Sequence, residues 1–127
     1  MYIIDFLPPV IGVDSEFNTF RLGMKWYSLV QPGDKVIVTA SKQRIALGLA
    51  EITYTDRGDL AAMLQTHASK NHTQLTTDPN DAPEALYGVL LRCYGPQMVN
   101  LGKKTTVIGL RMLEKDFGKI ISRHFGA

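Results

Sequence analysis

The sequence predicts an α+β fold, a small β-barrel with flanking helices, and three observations carry that expectation. The run Lys35-Val36-Ile37-Val38-Thr39 follows the turn signal Pro32-Gly33-Asp34, and a short polar turn joins it to a second strand, Arg44 to Thr55, so the two read as a hairpin. Within that second strand the apolar positions change parity near Gly48-Leu49-Ala50. Such a switch marks a bulge or sharp bend, the device that turns a strand around a barrel corner. Residues 114–125 carry a helical apolar stripe, and mixing helices with several short strands favours a small mixed barrel over a parallel βαβ sheet.

The elements follow in chain order. Tyr2 to Leu7 is rich in strand formers, and Pro8-Pro9 ends it because proline cannot donate to a ladder. Phe17 to Arg21 is compatible with a strand, and Leu22 to Leu29 with a short helical or irregular segment in which Met24, Trp26 and Leu29 seek cover. After the hairpin, Leu60, Met63, Leu64 and His67 fall at helical spacing behind Asp59, a plausible N-cap. Residues 69–82, SKNHTQLTTDPNDA, are almost wholly polar and read as a long loop, a feature more often functional or mobile than idle. Pro83-Glu84 suits the first turn of a helix, although LYGVLLRCY also fits a strand, and Gly95-Pro96 ends either one. Lys104 to Leu113 is β-like. In the final helix, Glu114 to Phe125, Leu113, Phe117, Ile120, Ile121 and Phe125 share a stripe, with acids early and bases late as the helix dipole favours.

At 127 residues and 45% hydrophobic the chain has apolar material for one sizeable core, so a single domain over 1–127 is expected. A net charge of +2 is too small to mark a nucleic-acid binder by bulk electrostatics, and any basic footprint must be local. Cys93 is the one cysteine, which excludes an intrachain disulfide and points to a reducing, cytoplasmic setting. The opening MYIIDFLPPVIGV holds Asp5, lacks a basic leader region and breaks at Pro8-Pro9, unlike a signal peptide or membrane span.

No P-loop, GxGxxG, GxSxG or HExxH motif is present, and no cofactor is expected. His67, His72 and His124 lack zinc-ligand spacing with Cys93, so no metal site is expected, and Cys93 in LLRCYG reads as an inert buried thiol. Thr19 and Arg21 are the more informative pair. In an extended segment they share one face with Phe20 on the other, so a hydroxyl and a planar guanidinium fork project together, suited to a phosphate or the edge of a base. The alternative for Arg21 is a structural ion pair with Asp34 or Glu51, and both readings stay open. Lys25, Trp26 and Tyr27 add a cation beside two aromatics, the composition used for base stacking. Trp26 is expected in the core and Tyr27 to be the exposed ring. Lys42 and Arg44 at the hairpin, with Lys103 and Lys104, would extend a basic patch if the fold gathers them.

The run Thr19-Phe20-Arg21-Leu22, then a lysine and an aromatic, then Leu29 to Val38 with Gly33-Asp34, then Ala46 to Ile52 with Gly48-Leu49-Ala50, resembles the ASCH family of the PUA-like superfamily over about residues 17–56. The resemblance implies a small β-barrel with a cleft near Thr19 and Arg21, and relatives that bind RNA or handle modified nucleosides. Some of those relatives are amidohydrolases of acetylated cytidine and others ribonucleases. In the hydrolase branch a lysine and the threonine work with a distant glutamate; here Asp14 stands at the family's glycine position and Glu16 at its lysine position. An acid there repels an anionic ligand and cannot replace a lysine in activating a nucleophile. The expectation is therefore an RNA- or nucleotide-binding module using Thr19, Arg21, Lys25, Tyr27, Lys42 and Arg44. The runner-up is a small hydrolase of a modified nucleoside or RNA using Thr19 with Glu16 or Glu51, and a third possibility is a protein-interaction domain using the 69–82 loop.

Overall fold

The computed structural model describes residues 2–6, 16–40 and 45–114. Five strands, β1 (Tyr2–Phe6), β2 (Glu16–Leu22), β3 (Lys35–Ala40), β4 (Ile45–Asp59) and β5 (Lys104–Glu114), alternate with α1 (Lys25–Leu29), α2 (Leu60–His67) and α3 (Ala82–Tyr94). They form one mixed sheet in the order β1-β3-β4-β5-β2, with β1 parallel to β3 and every other pair antiparallel.

β3 and β4 pair antiparallel as the hairpin the sequence predicts, and the turn that launches β3 forms for local reasons. The Asp34 side chain accepts the Gln31 N–H at 3.0 Å, the Asp34 N–H donates to the Gln31 carbonyl, and Gly33 supplies a φ of 95°. The expected parity switch is a real break in register, with shifts at Val38/Thr39, Leu49/Ala50 and Ile52/Tyr54. Leu49 and Ala50 are consequently both buried although adjacent. At this bend a Cβ on Gly48 would overlap the Glu114 carbonyl oxygen, so the residue's lack of a side chain lets β4 and β5 meet.

One face of the sheet gathers Ile4, Phe6, Phe17, Val36, Val38, Ile52, Ile108 and Leu110, and Trp26 packs against this cluster. The other gathers Phe20 and Val107 with Leu60, Met63 and Leu64 of α2 and Leu86 and Leu90 of α3. The alternation Phe17, Phe20 on β2 and Val107, Ile108 on β5 is the period of two that assigns each strand residue to one cluster.

The closed barrel expected from the sequence is not what the described strands form: edge strands β1 and β2 share no backbone ladder. They nevertheless face each other. Phe6 and Phe17 meet edge to face at 5.4 Å, and the Arg21 guanidinium donates to the Asp5 carbonyl oxygen. The sheet is curled, and side chains fill its seam.

Other expectations are revised by packing. Asp59 stands at the N-cap of α2 but its carboxylate binds Lys104 at 2.7 Å; the first N–H groups of the helix donate instead to the carbonyls of Lys103 and Leu101. The 83–94 segment is the helix rather than the strand, with Pro83 in its first turn and Gly95, φ 81°, ending it. Glu114, expected to open the last helix, ends β5; the remainder of that helix, 115–125, lies outside the described residues, as do Pro8-Pro9 and the polar turn at 41–44. Among the described residues no helix is long and apolar enough to cross a membrane.

Candidate functional site at the β1/β2 seam

Asn18, fully buried in β2, organises the neighbourhood. Its Nδ2 donates to the His67 carbonyl at 2.9 Å and to the Tyr54 hydroxyl at 3.1 Å, fixing the end of α2 on the sheet. Its backbone carbonyl accepts the His72 N–H at 3.0 Å, so the chain leaving α2 runs beside the free edge of β2 and pairs there as a short parallel bridge, Asn18 with Asn71. Asn71 then holds the turn: its Oδ1 accepts the Thr73 N–H at 2.9 Å and the Thr73 hydroxyl at 2.6 Å. His72 stacks on Phe6 of β1 at 4.5 Å, an interplanar angle of 17°.

This arrangement encloses a small cleft of about 30 Å³ lined by Asp5, Thr19, Arg21, Asn71, His72, Thr73 and Tyr94, with apolar side chains of α3 behind. Its volume admits roughly two water-sized groups. A space of that size holds a small polar group and does not enclose a molecule as large as a nucleoside. Thr19 is buried and Arg21 half-buried, side by side as the period of two requires. Arg21 makes neither of the ion pairs considered from sequence: Asp34 caps its own turn, and Glu51 binds Arg111 at 2.7 Å. The guanidinium instead donates to the Asp5 carbonyl and lies 5.6 Å from the Trp26 ring centroid, while its buried Nε has no hydrogen-bond partner among the described residues. Burial lowers the Arg21 pKa, opposed by Tyr94 and Asp5, and the group stays charged at any ordinary pH. A half-buried cation with no ion-pair partner among the described residues is electrostatically available to an anion or a carbonyl oxygen.

Other sequence-predicted residues fall elsewhere. Lys25 is exposed on α1 and does not line the cleft; Tyr27 is half-buried beneath Arg57, whose guanidinium lies 4.6 Å from the ring centroid. Lys42 and Arg44, like Asp14, lie outside the described residues. Trp26, expected in the core, is only partly buried against it and edge to face with Tyr2, and Tyr27, expected to be the exposed ring, is half-buried like it. Cys93, expected to be buried, is exposed, because the α3 stripe that faces the sheet is Leu86 and Leu90. Glu16 projects away from Thr19 and lines a separate cavity of about 290 Å³ with Thr53, Tyr54 and Lys70. With Glu51 held by Arg111, neither carboxylate considered for hydrolysis meets Thr19; the carboxylate residue that does line the cleft is Asp5, whose side chain accepts the Thr39 hydroxyl.

Sequence reasoning missed Asp5, Asn71, His72, Thr73 and Tyr94. The one signal for three of them was the long polar loop; Asp5 and Tyr94 arrive from elements whose placement depends on the curl of the sheet.

Among the described residues no group of three histidine, cysteine, aspartate or glutamate side chains is arranged to hold a metal ion. No protein-family model matches the chain, and no curated protein matches it in sequence. In fold it is similar to the crystal structure of protein EF3133 from Enterococcus faecalis V583, whose family model is DUF984, with a TM-score of 0.54 over 89% of this chain and 69% of that one. The two are 9% identical, so the likeness concerns the α+β architecture.

Proposed function

We propose that this chain is a PUA-like module that binds RNA or a nucleotide, with a phosphate oxygen or the polar edge of a base seated against Arg21 and Thr19. In this reading the curled sheet is a PUA-like barrel parted along the β1/β2 seam, and the ASCH-like order of residues 17–56 supports it. The observation that carries the function is the half-buried Arg21 guanidinium. It has no ion-pair partner and a vacant Nε donor among the described residues, and it borders a cleft where polar groups converge from β1, β2, the 71–73 turn and α3. The tightness of the cleft favours recognition over enclosure of a substrate, and the hydrolase reading loses the Thr19 and glutamate pairing it needs.

Titration with a panel of labelled mononucleotides tests the proposal. Binding is expected to weaken with added salt, and Arg21→Ala to lower affinity about tenfold or more, the scale of a lost charge-assisted hydrogen bond. Arg21→Lys keeps the charge but loses the fork, and is expected to bind less tightly than the parent. Binding that is indifferent to salt and to both substitutions overturns the proposal.

A further inference from the structure

Arg21 on β2, Thr106 on β5 and Arg57 on β4 stand directly opposite one another in register. Residues paired this way project to the same face, and strands about 4.8 Å apart set the two arginine Cα atoms about 10 Å apart. Helix α1 crosses over this row: the Thr106 hydroxyl donates to the Gly23 carbonyl at 2.8 Å at the entry to α1. Two consecutive aromatics of that helix then each carry one arginine, Trp26 beside Arg21 at 5.6 Å and Tyr27 beneath Arg57 at 4.6 Å. A guanidinium stacked on a ring keeps its in-plane N–H groups for a ligand and is already oriented. Arg57 is exposed and in no ion pair among the described residues. It lines an open cavity of about 370 Å³ with Met24, Gly58 and Lys104. Lys104 is bound to Asp59, but both side chains are more than half exposed, so the pair is weak and a phosphate competes with it.

From this we infer that Arg57, held on Tyr27 and assisted by Lys104, is a second phosphate subsite, and that the ligand is a single-stranded phosphodiester chain running across α1 from the Arg21 cleft. The inference rests on the Arg21 reading for its first contact. Successive phosphates of one strand lie farther apart than the axial rise of about 3.4 Å because the backbone winds around the axis, so contacts from β2 and β4 suit phosphates of neighbouring nucleotides. A mononucleotide does not reach both.

Fluorescence anisotropy on the full chain, with a uridine mononucleotide and with oligouridylate and oligothymidylate of about eight nucleotides, separates the two readings. The oligonucleotides are expected to bind more tightly than the mononucleotide. Arg57→Ala is expected to weaken oligonucleotide binding about tenfold, reduce its salt slope by about 0.7, and leave the mononucleotide within about twofold. Tyr27→Leu, which keeps Arg57 but removes its platform, is expected to produce part of that loss. Either sugar type showing this dependence supports the subsite. Oligonucleotide binding indifferent to Arg57→Ala, or no tighter than the mononucleotide, overturns it. If the mononucleotide fails to bind while oligonucleotide binding depends on Arg57 and not on Arg21, the Arg21 proposal falls and the subsite stands.

Discussion

Asn18 does more for the site than its position one residue before Thr19 suggests. Its fully buried side-chain amide binds the His67 carbonyl and the Tyr54 hydroxyl, while its backbone makes the bridge to Asn71. Asn18→Ala leaves the His67 carbonyl and Tyr54 hydroxyl without that donor and is expected to cost about 1–3 kcal/mol in denaturant unfolding. Hydrogen exchange is expected to rise at the C-terminal amides of α2, the end that the Asn18 side chain anchors through the His67 carbonyl. A loss confined to global stability, with those amides as protected as in the parent, contradicts the role assigned to it. At the same scale, Tyr54 shows why Gly109 is glycine: the ring lies where a Cβ would be. Burial raises the Tyr54 pKa, with the Asn18 hydrogen bond opposing and the charges of Asp56 and Glu16 adding to the rise, so its hydroxyl stays protonated at neutral pH and acts as a link in the network.

Between elements, β4 and α2 are tied by Asp56 and His67, whose Nε2 donates to the Asp56 carboxylate at 2.7 Å. That hydrogen bond is the largest reason the Asp56 pKa is lowered. A carboxyl with a lowered folded-state pKa stabilises above its unfolded value of about 3.9 and loses that contribution as pH falls through the folded value. Asp56 is 42% exposed, so solvent screening limits the tie to about 0.2–1 kcal/mol. Asp56→Asn is expected to be less stable than the parent at neutral pH, with the gap narrowing below about pH 4. Thermal unfolding across that range measures it, and a gap that widens in acid refutes the assignment. These elements were legible to different degrees. The hairpin, its bend and α2 follow from turn chemistry and periodicity, which act within a few residues. The 83–94 helix was ambiguous because an unbroken apolar run fits both periods, and only packing on Leu60 and Leu64 selects one.

For the whole molecule, the determining feature is the seam. Phe6 of β1 touches Phe17 of β2 and stacks on His72, so one side chain holds both edges and the turn that closes the cleft. Phe6→Leu keeps most of the apolar volume but loses two ring contacts, and is expected to cost about 1–3 kcal/mol. It is also expected to weaken the proposed nucleotide binding, whereas Leu60→Ala, in the second core, is expected to destabilise the fold without changing affinity in the population that remains folded. Equal effects of both variants on affinity contradict the seam's role. By itself the sequence determined the α+β class, the hairpin and its bend, the α2 stripe and the pairing of Thr19 with Arg21 on one strand face, because each depends on neighbours in the chain. Only the tertiary structure decided that the sheet stays open between β1 and β2, that Asp5, His72 and Tyr94 join Arg21, and that Tyr27 serves Arg57 instead. The physical reason is that these contacts come from the curl of the sheet and from residues 16 to 73 positions away from Arg21, distances over which no local periodicity carries information.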